Sequence, residues 1–324
     1  MANLARQARE QHPGTAVVKR TRNSIHLDTG GGKHVAYIGG SNAYHLPDEQ
    51  TEIDTAWVAE SVDGFQWGMT LADYHARARS VFNAGDLVRY THPDSGHWVI
   101  FDPQSINWIN QDNSRQQIAI KQVVTATVGT GIDDDLLRWN NAYGAGRHMT
   151  YRAAPGRLEK NIILDAPGSL PAPAAWLTGT IWFEAEFALK HSTGLDLWLD
   201  GVKWAKTNGV RVKTGNRIEF KDAAGNVLFY MAAPFVADSA GNEAATEYEV
   251  RRQGASYFCT VRVPKVWLDT AVFPVYIDPT FDVQPDATAG IDAMMVSAVP
   301  NGNYGTFAQN QADAVSPRRS LLRF

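Results

Sequence analysis

Glu184 and Glu186 stand two residues apart in "TIWFEAEFALK", and a pair of carboxylates is the usual equipment for acid and base work on a glycosidic bond. That chemistry sets the two groups on facing elements about 5 to 10 Å apart. Two carboxylates on one face of one strand read instead as a solvated surface. Asp133-Asp134-Asp135 would attract a cation, but the run lacks the alternating Asp-x-Asp-x-Asp-Gly order of a calcium loop and reads as an acidic surface loop. His92 and His97 flank Asp94 at a turn, without the paired histidines on a strand or the His-Glu-x-x-His helix that zinc chemistry uses. Cys259, the single cysteine, falls on the apolar side of "YFCTVRVP" and reads as an inert core thiol. No Gly-x-Ser-x-Gly elbow occurs. These residues assign no catalytic group, no metal ligand and no cofactor.

Tryptophans are the remaining resource. Trp176, Trp182, Trp198 and Trp204 crowd one short window, and an indole ring suits both a sugar platform and a packed core. Alternation sets Trp182 opposite Phe183 and Phe187. The four are therefore assigned as contacts, with a subunit interface ranked ahead of a glycan.

The elements that must position these residues are strands. In "TIWFEAEFALK", Phe183, Ala185, Phe187 and Leu189 share one side, the period of two of a half-buried strand. "NRIEFKDAAGNVLFYM" puts Ile218 and Phe220 opposite Arg217, Glu219 and Lys221, then turns at Asp222 to Asn226; Asp238 to Asn242 repeats that Asp-x-x-Gly-Asn turn. "DLVRYTHPDSGHWVIF" reads as a hairpin. "TLADYHARARS" reads as one short helix with Leu71 and Tyr74 on a face. Many short strands between Gly, Asp and Asn turns predict a mainly β fold of antiparallel β-sandwich units.

Composition agrees with a globular chain. The 324 residues are 44% hydrophobic, and 30 basic against 34 acidic residues give a net charge of -4, spread without blocks. A phosphate backbone would need a basic footprint, so nucleic acid is not an expected partner. No run of about 18 apolar residues is present, so no membrane helix is expected either. Residues 13 to 45 combine Gly30-Gly31-Gly32 and Gly39-Gly40 with short apolar pieces. They read as an extended arm with a flexible hinge, since the spacing of a phosphate loop is missing.

The order of motifs from about residue 131 onward resembles the β-rich segment that precedes DNRLRE domains. Leu158, Glu159, Lys160 and Ile162 to Leu164 match one strand of that segment; Ala233, Pro234, Asp238 and Gly241 match a turn; Trp267, Leu268, Pro274, Ile277, Asp278, Pro279 and Thr280 match its closing run. Beyond this, Pro300, Asn301, Asn303, Tyr304, Gly305 and the stretch from Arg319 to Phe324 are similar to the first strands of a DNRLRE domain, whereas Asp292 to Met295 depart from its usual opening. The resemblance implies carbohydrate binding and surface display in bacterial wall-associated, extracellular or phage-encoded proteins. It also implies a chain that continues past Phe324. Pro274, Asp278, Pro279 and Thr280 are read as the joint between the two modules, a semi-rigid elbow.

The sequence thus divides into an arm at 1–45, a β-rich unit at 46–130, a β-sandwich at 131–280 and the start of a DNRLRE-like module at 281–324. The expected function is that of a non-enzymatic phage virion structural protein, a head decoration, tail or fibre component that displays its C-terminal module. Its expected partners are other virion subunits in a homo-oligomer, and a host-surface glycan. The alternative is a bacterial cell-surface carbohydrate-binding or glycan-degrading protein.

Overall fold

The computed structural model describes residues 16–21, 24–30, 33–38, 55–69, 74–154, 156–278, 281–283, 291–296 and 318–323. Its body runs from Thr55 to Val283, and every strand pairing in it is antiparallel. The mainly β architecture predicted by alternation is the one observed.

Two sheets build the body among the described residues, one of ten strands and one of twelve. The long strand Ile181–His191 is the spine of the first sheet. It lies between Trp98–Asn110 and Ser256–Pro264, with Glu247–Gln253 and Arg211–Thr214 beyond the latter. The second sheet carries the meander Leu136–Trp139, Arg147–Ala154 and Arg157–Leu164, and also Asp196–Leu199, Ile218–Lys221 and Val227–Met231. The two sheets meet through aromatic side chains. Tyr90 of the first lies 5.5 Å from Phe229 of the second, and Lys160 of the second sets its ammonium 4.1 Å from the Phe101 ring and 4.2 Å from that of Phe187. Phe183, Ala185, Phe187 and Leu189 all face this core, none more than 2% exposed.

The strand Trp98–Asn110 pairs with Ile181–His191 along its length, from Val99 with His191 to Asn110 with Ile181. The expected boundary at residue 130 therefore falls inside one body, because strands from both sides of it satisfy each other's backbone hydrogen bonds. The expected helix is also a strand: His75–Ala78 pairs with Phe65–Met69 and with Val88–Thr91. Ala76 and Ala78 are buried while His75 and Arg77 are not, a period of two that places small residues against the core. Leu71 lies outside the described residues. The hairpin at 88–101 forms as read, with Val88 opposite Phe101 and Thr91 opposite Trp98.

Within the stretch read as an arm, Ala16–Thr21, Ser24–Gly30 and Lys33–Ile38 form a three-stranded antiparallel sheet. Near the C-terminus Ile291–Val296 pairs with Arg318–Arg323; residues 300 to 305 lie outside the described residues.

The joint sits within the second sheet. The Phe273-Pro274 peptide is cis, and Val275–Asp278 pairs with Arg157–Leu164 and with Phe235–Asp238. Pro279 and Thr280 lie outside the described residues, yet Phe281–Val283 returns to pair with Arg157, Leu158 and the Val227–Met231 strand. Both flanks of the joint thus belong to the body, which ends at Val283 rather than at residue 280.

Candidate functional site

Glu184 and Glu186 do not form a solvated face. Glu184 is 0% exposed and Glu186 8%. Arg262 donates to Glu184 Oε2 from Nε and Nη2, each at 3.1 Å, and from Nη2 also reaches Glu249 Oε2 at 2.8 Å. Arg115 touches Glu184 Oε1 at 2.5 Å and Glu186 Oε2 at 2.7 Å; Arg251 pairs with Glu186, and Arg211 with Glu249. The cause is cross-strand register: Glu184 sits opposite Asn107 on one side and Arg262 on the other. Flanked by strands on both sides, the carboxylates are roofed by long guanidinium side chains rather than by water. Burial pushes the Glu186 carboxyl up, but Arg251 and Arg115 outweigh it and hold it below the ordinary value. Glu186 is thereby held as an anion, and all three carboxylates are committed to structural pairing with arginines.

The other sequence candidates are likewise occupied. Arg152 bridges Asp133 at 2.9 Å and Asp135 at 2.7 Å, while the Asp135 carbonyl accepts from Trp57 Nε1 at 2.9 Å, so the acidic run is a clasp. His92 is buried with its ring edge-on to Phe229, whereas His97 Nδ1 meets Ser192 Oγ at 2.8 Å. The two histidines therefore serve different neighbours. Among the described residues no group of His, Cys, Asp and Glu side chains could hold a metal ion. Cys259 is buried, and burial pushes its thiol up to about 12.

The tryptophans separate. Trp204 is buried, 5.4 Å from Tyr257, and so is a core residue rather than a surface contact. Its strand neighbour pattern could not show this, because it follows the short strand Val202–Lys203 and folds back by donating its amide to the Leu197 carbonyl. Trp176 is exposed, and Trp182 is half-buried with Lys213 Nζ 5.7 Å from its ring. Trp198 is half-buried and lines an open groove on the outer face of the second sheet.

That groove, of about 750 Å³, is built across three neighbouring strands. Leu197, Leu199, Ile218, Phe220, Phe229 and Met231 point into the core, so alternation turns Trp198, Glu219 and Tyr230 outward. Register then aligns these three in one row: Trp198 is opposite Glu219, and Glu219 opposite Tyr230. Each ring carries a cation. Lys221 Nζ lies 4.5 Å from the Trp198 ring centre and the Arg217 guanidinium 5.4 Å from that of Tyr230. Both cations also pair with Glu219, Lys221 at 2.9 Å. Partial burial pushes the Glu219 carboxyl up, but Lys221 and Arg217 outweigh it and hold it below the ordinary value.

One end of the groove is a tight turn. Asp200 and Gly201 both take positive φ, 50° and 76°, to join Asp196–Leu199 to Val202–Lys203. Asp200 Oδ1 accepts from Thr214 Oγ1 at 2.8 Å and from Asn216 Nδ2 at 2.7 Å. Asp200 and Asn216 both line the groove. Ala232 and Ala233 line it with small side chains. Two aromatic faces, fixed charges and oriented amide and carboxylate groups suit a ligand that is both flat-faced and rich in hydroxyls. Of this set the sequence singled out Trp198 alone. The outward side of 217–221 was legible from alternation, but not that Tyr230 would stand in line with it.

Fold and groove together define an antiparallel β protein of sandwich type with an aromatic, charge-balanced groove on its outer face. No protein-family model, curated protein or solved structure matches the chain.

Proposed function

We propose that the protein is a non-enzymatic structural and display protein whose body recognises a saccharide in the groove at Trp198 and Tyr230. The observation that carries this is the outward row Trp198, Glu219, Tyr230 across three paired strands. It sets two aromatic side chains, each with a cation over its ring, on either side of a carboxylate. Binding is favoured over cleavage on electrostatic grounds. A glycosidase needs a general acid whose pKa is raised so that it holds a proton, whereas the groove's Glu219 is held below its ordinary value by two cations. The sequence's own pair, Glu184 and Glu186, is buried under arginines. The setting we favour is a virion, in a homo-oligomeric subunit of head, tail or fibre; a bacterial cell surface is the second.

Titration calorimetry against neutral hexose oligomers tests the binding. Saturable heat that is lost in Trp198→Ala, with the circular dichroism spectrum retained, supports it. Release of new reducing ends that depends on Glu219 would replace binding with catalysis. Mass spectrometry of purified virions and of cell-wall fractions decides the setting.

A further inference from the structure

Three histidines gather at one end of the first sheet, and register brings them there. Thr91 stands opposite Trp98, and Val99 opposite His191, so the turn from His92 to His97 lies beside the end of Ile181–His191. The turn is closed on itself: His92 donates its amide to the His97 carbonyl at 2.8 Å, and Gly96 donates its own to the His92 carbonyl at 2.9 Å. It is moored to the neighbouring strand through Ser192. The Ser192 amide donates to the Trp98 carbonyl at 2.9 Å, while Ser192 Oγ accepts the Trp98 amide at 3.2 Å and meets His97 Nδ1 at 2.8 Å.

Two of the rings are set up for the neutral imidazole. His92, buried and edge-on to Phe229, uses Nδ1 to accept the Ser95 amide at 3.4 Å, a contact that a proton on that nitrogen ends. His191 lies flat on Tyr257, 8° from parallel with ring centres 6.0 Å apart, and its Nδ1 donates to the Ser192 carbonyl at 3.0 Å. The neutral ring then carries no proton on Nε2, which is buried with no hydrogen-bond partner among the described residues. A second proton would arrive there as a charge that nothing receives. We propose that this end of the body is a local acid-sensitive latch: proton uptake at His92 and His191 frees the turn from His92 to His97 while the core of the sheet stays closed. Burial is the largest influence on both rings and holds each below the ordinary 6.5. For His92, Asp94 in the exposed turn pulls the other way and His97 adds to the effect of burial. For His191, the Ser192 carbonyl and Asp196 oppose burial, while Lys206, 3.4 Å from Asp196, adds to it. The released turn binds protons that the closed turn refuses, so closure is stable above 6.5 and is lost as pH falls below it.

Amide hydrogen exchange followed by NMR on the intact chain tests this from pH 7 to 5, with each rate divided by that of an unstructured peptide at the same pH. Protection at Ser95, Gly96 and Trp98 should fall as pH drops below 6.5, by about tenfold per pH unit for each proton that opening takes up, while protection across Phe183 to Leu189 stays level. His92→Asn keeps an acceptor where Nδ1 stands and cannot titrate; His191→Phe keeps a ring on Tyr257. Each should remove one proton from the slope, and the double variant should be flat. A double variant with the parent slope, or a parent whose turn is equally protected from pH 7 to 5, overturns the latch. Protection across Phe183 to Leu189 that falls in step with the turn overturns it as well, since the response would then be unfolding of the whole body.

Discussion

Arg262 places Nε and Nη2 each 3.1 Å from the same Glu184 oxygen, and neither side chain is more than 2% exposed. A buried pair of this kind is strongly destabilised when one partner alone is removed, because the other is left charged and desolvated. Glu184→Gln should therefore lower unfolding stability by about 3 to 5 kcal/mol, read as a shift in the urea midpoint. A Glu184→Leu, Arg262→Met double variant should recover only part of the loss, because Arg262 also pairs with the buried Glu249. A single variant within 1 kcal/mol of the parent (about fivefold in the equilibrium constant) would show that the arginine is hydrated.

Phe187 faces the core from the same strand. Its ring lies 6.0 Å from that of Phe101 and 4.2 Å from the Lys160 ammonium. Phe187→Ala removes a packed ring and its contact with the cation, so a loss of about 3 to 5 kcal/mol is expected in denaturant unfolding. Lys190, three residues further on and facing outward, pairs with Asp86 at the surface, and Lys190→Ala should cost under about 1 kcal/mol. Equal effects would contradict the assigned faces.

How far the sequence could be read follows from these strands. Alternation in Phe183 to Leu189 showed the inward face correctly, since period two needs no knowledge of neighbours. It misread Glu184 and Glu186 as solvated, because their arginines come from residues 115, 251 and 262, distant in the chain, and only register brings them together. The turns at Asp222 and Asp238 were legible from local hydrogen-bonding chemistry. The short helix at 70–80 was not, because His75–Ala78 is held by strands on both sides. Trp198 was found by residue type, and its partners Glu219 and Tyr230 required strand order.

Lys160 gives the body a pH signature. Burial lowers its ammonium from the ordinary 10.5 to about 7, against smaller opposing influences from Cys259 and Asp278. The unfolded chain then binds a proton that the folded chain releases between pH 7 and 10.5, so stability rises with pH through that interval. Cys259 opposes this above its ordinary 9.0, since the folded thiol stays protonated to about 12. The clean window is therefore pH 7 to 9. Melting temperature should increase across it, and Lys160→Met should be more stable at pH 7 with the slope abolished. A parent protein whose stability is flat from pH 7 to 9 would mean that Lys160 stays charged in the core.

Asp222 and Asp238 open turns of identical pattern, yet only one reaches beyond itself. Each Oδ1 accepts two turn amides, at 2.9 and 2.8 Å for Asp222 and at 3.0 and 2.8 Å for Asp238, and each Oδ2 accepts from the asparagine four residues on. Asp238 Oδ2 also accepts the Val272 amide at 3.0 Å, and Ser239 Oγ donates to the Val272 and Phe273 carbonyls. This ties the turn to the segment entering the Val275–Asp278 strand. Asn242 and the Val272 amide together hold the Asp238 carboxyl down at about 2. A depressed carboxylate contributes stability that is present above the ordinary value of 3.8 and is lost as pH falls toward 2. Asp238→Ala should thus lower the melting temperature at pH 6 more than Asp222→Ala does, and the gap between the two variants should narrow as pH drops from 4 to 2. Hydrogen exchange at Val272 should speed up in Asp238→Ala only. If the two variants melt alike at pH 6, the link from Asp238 to Val272 carries no stability.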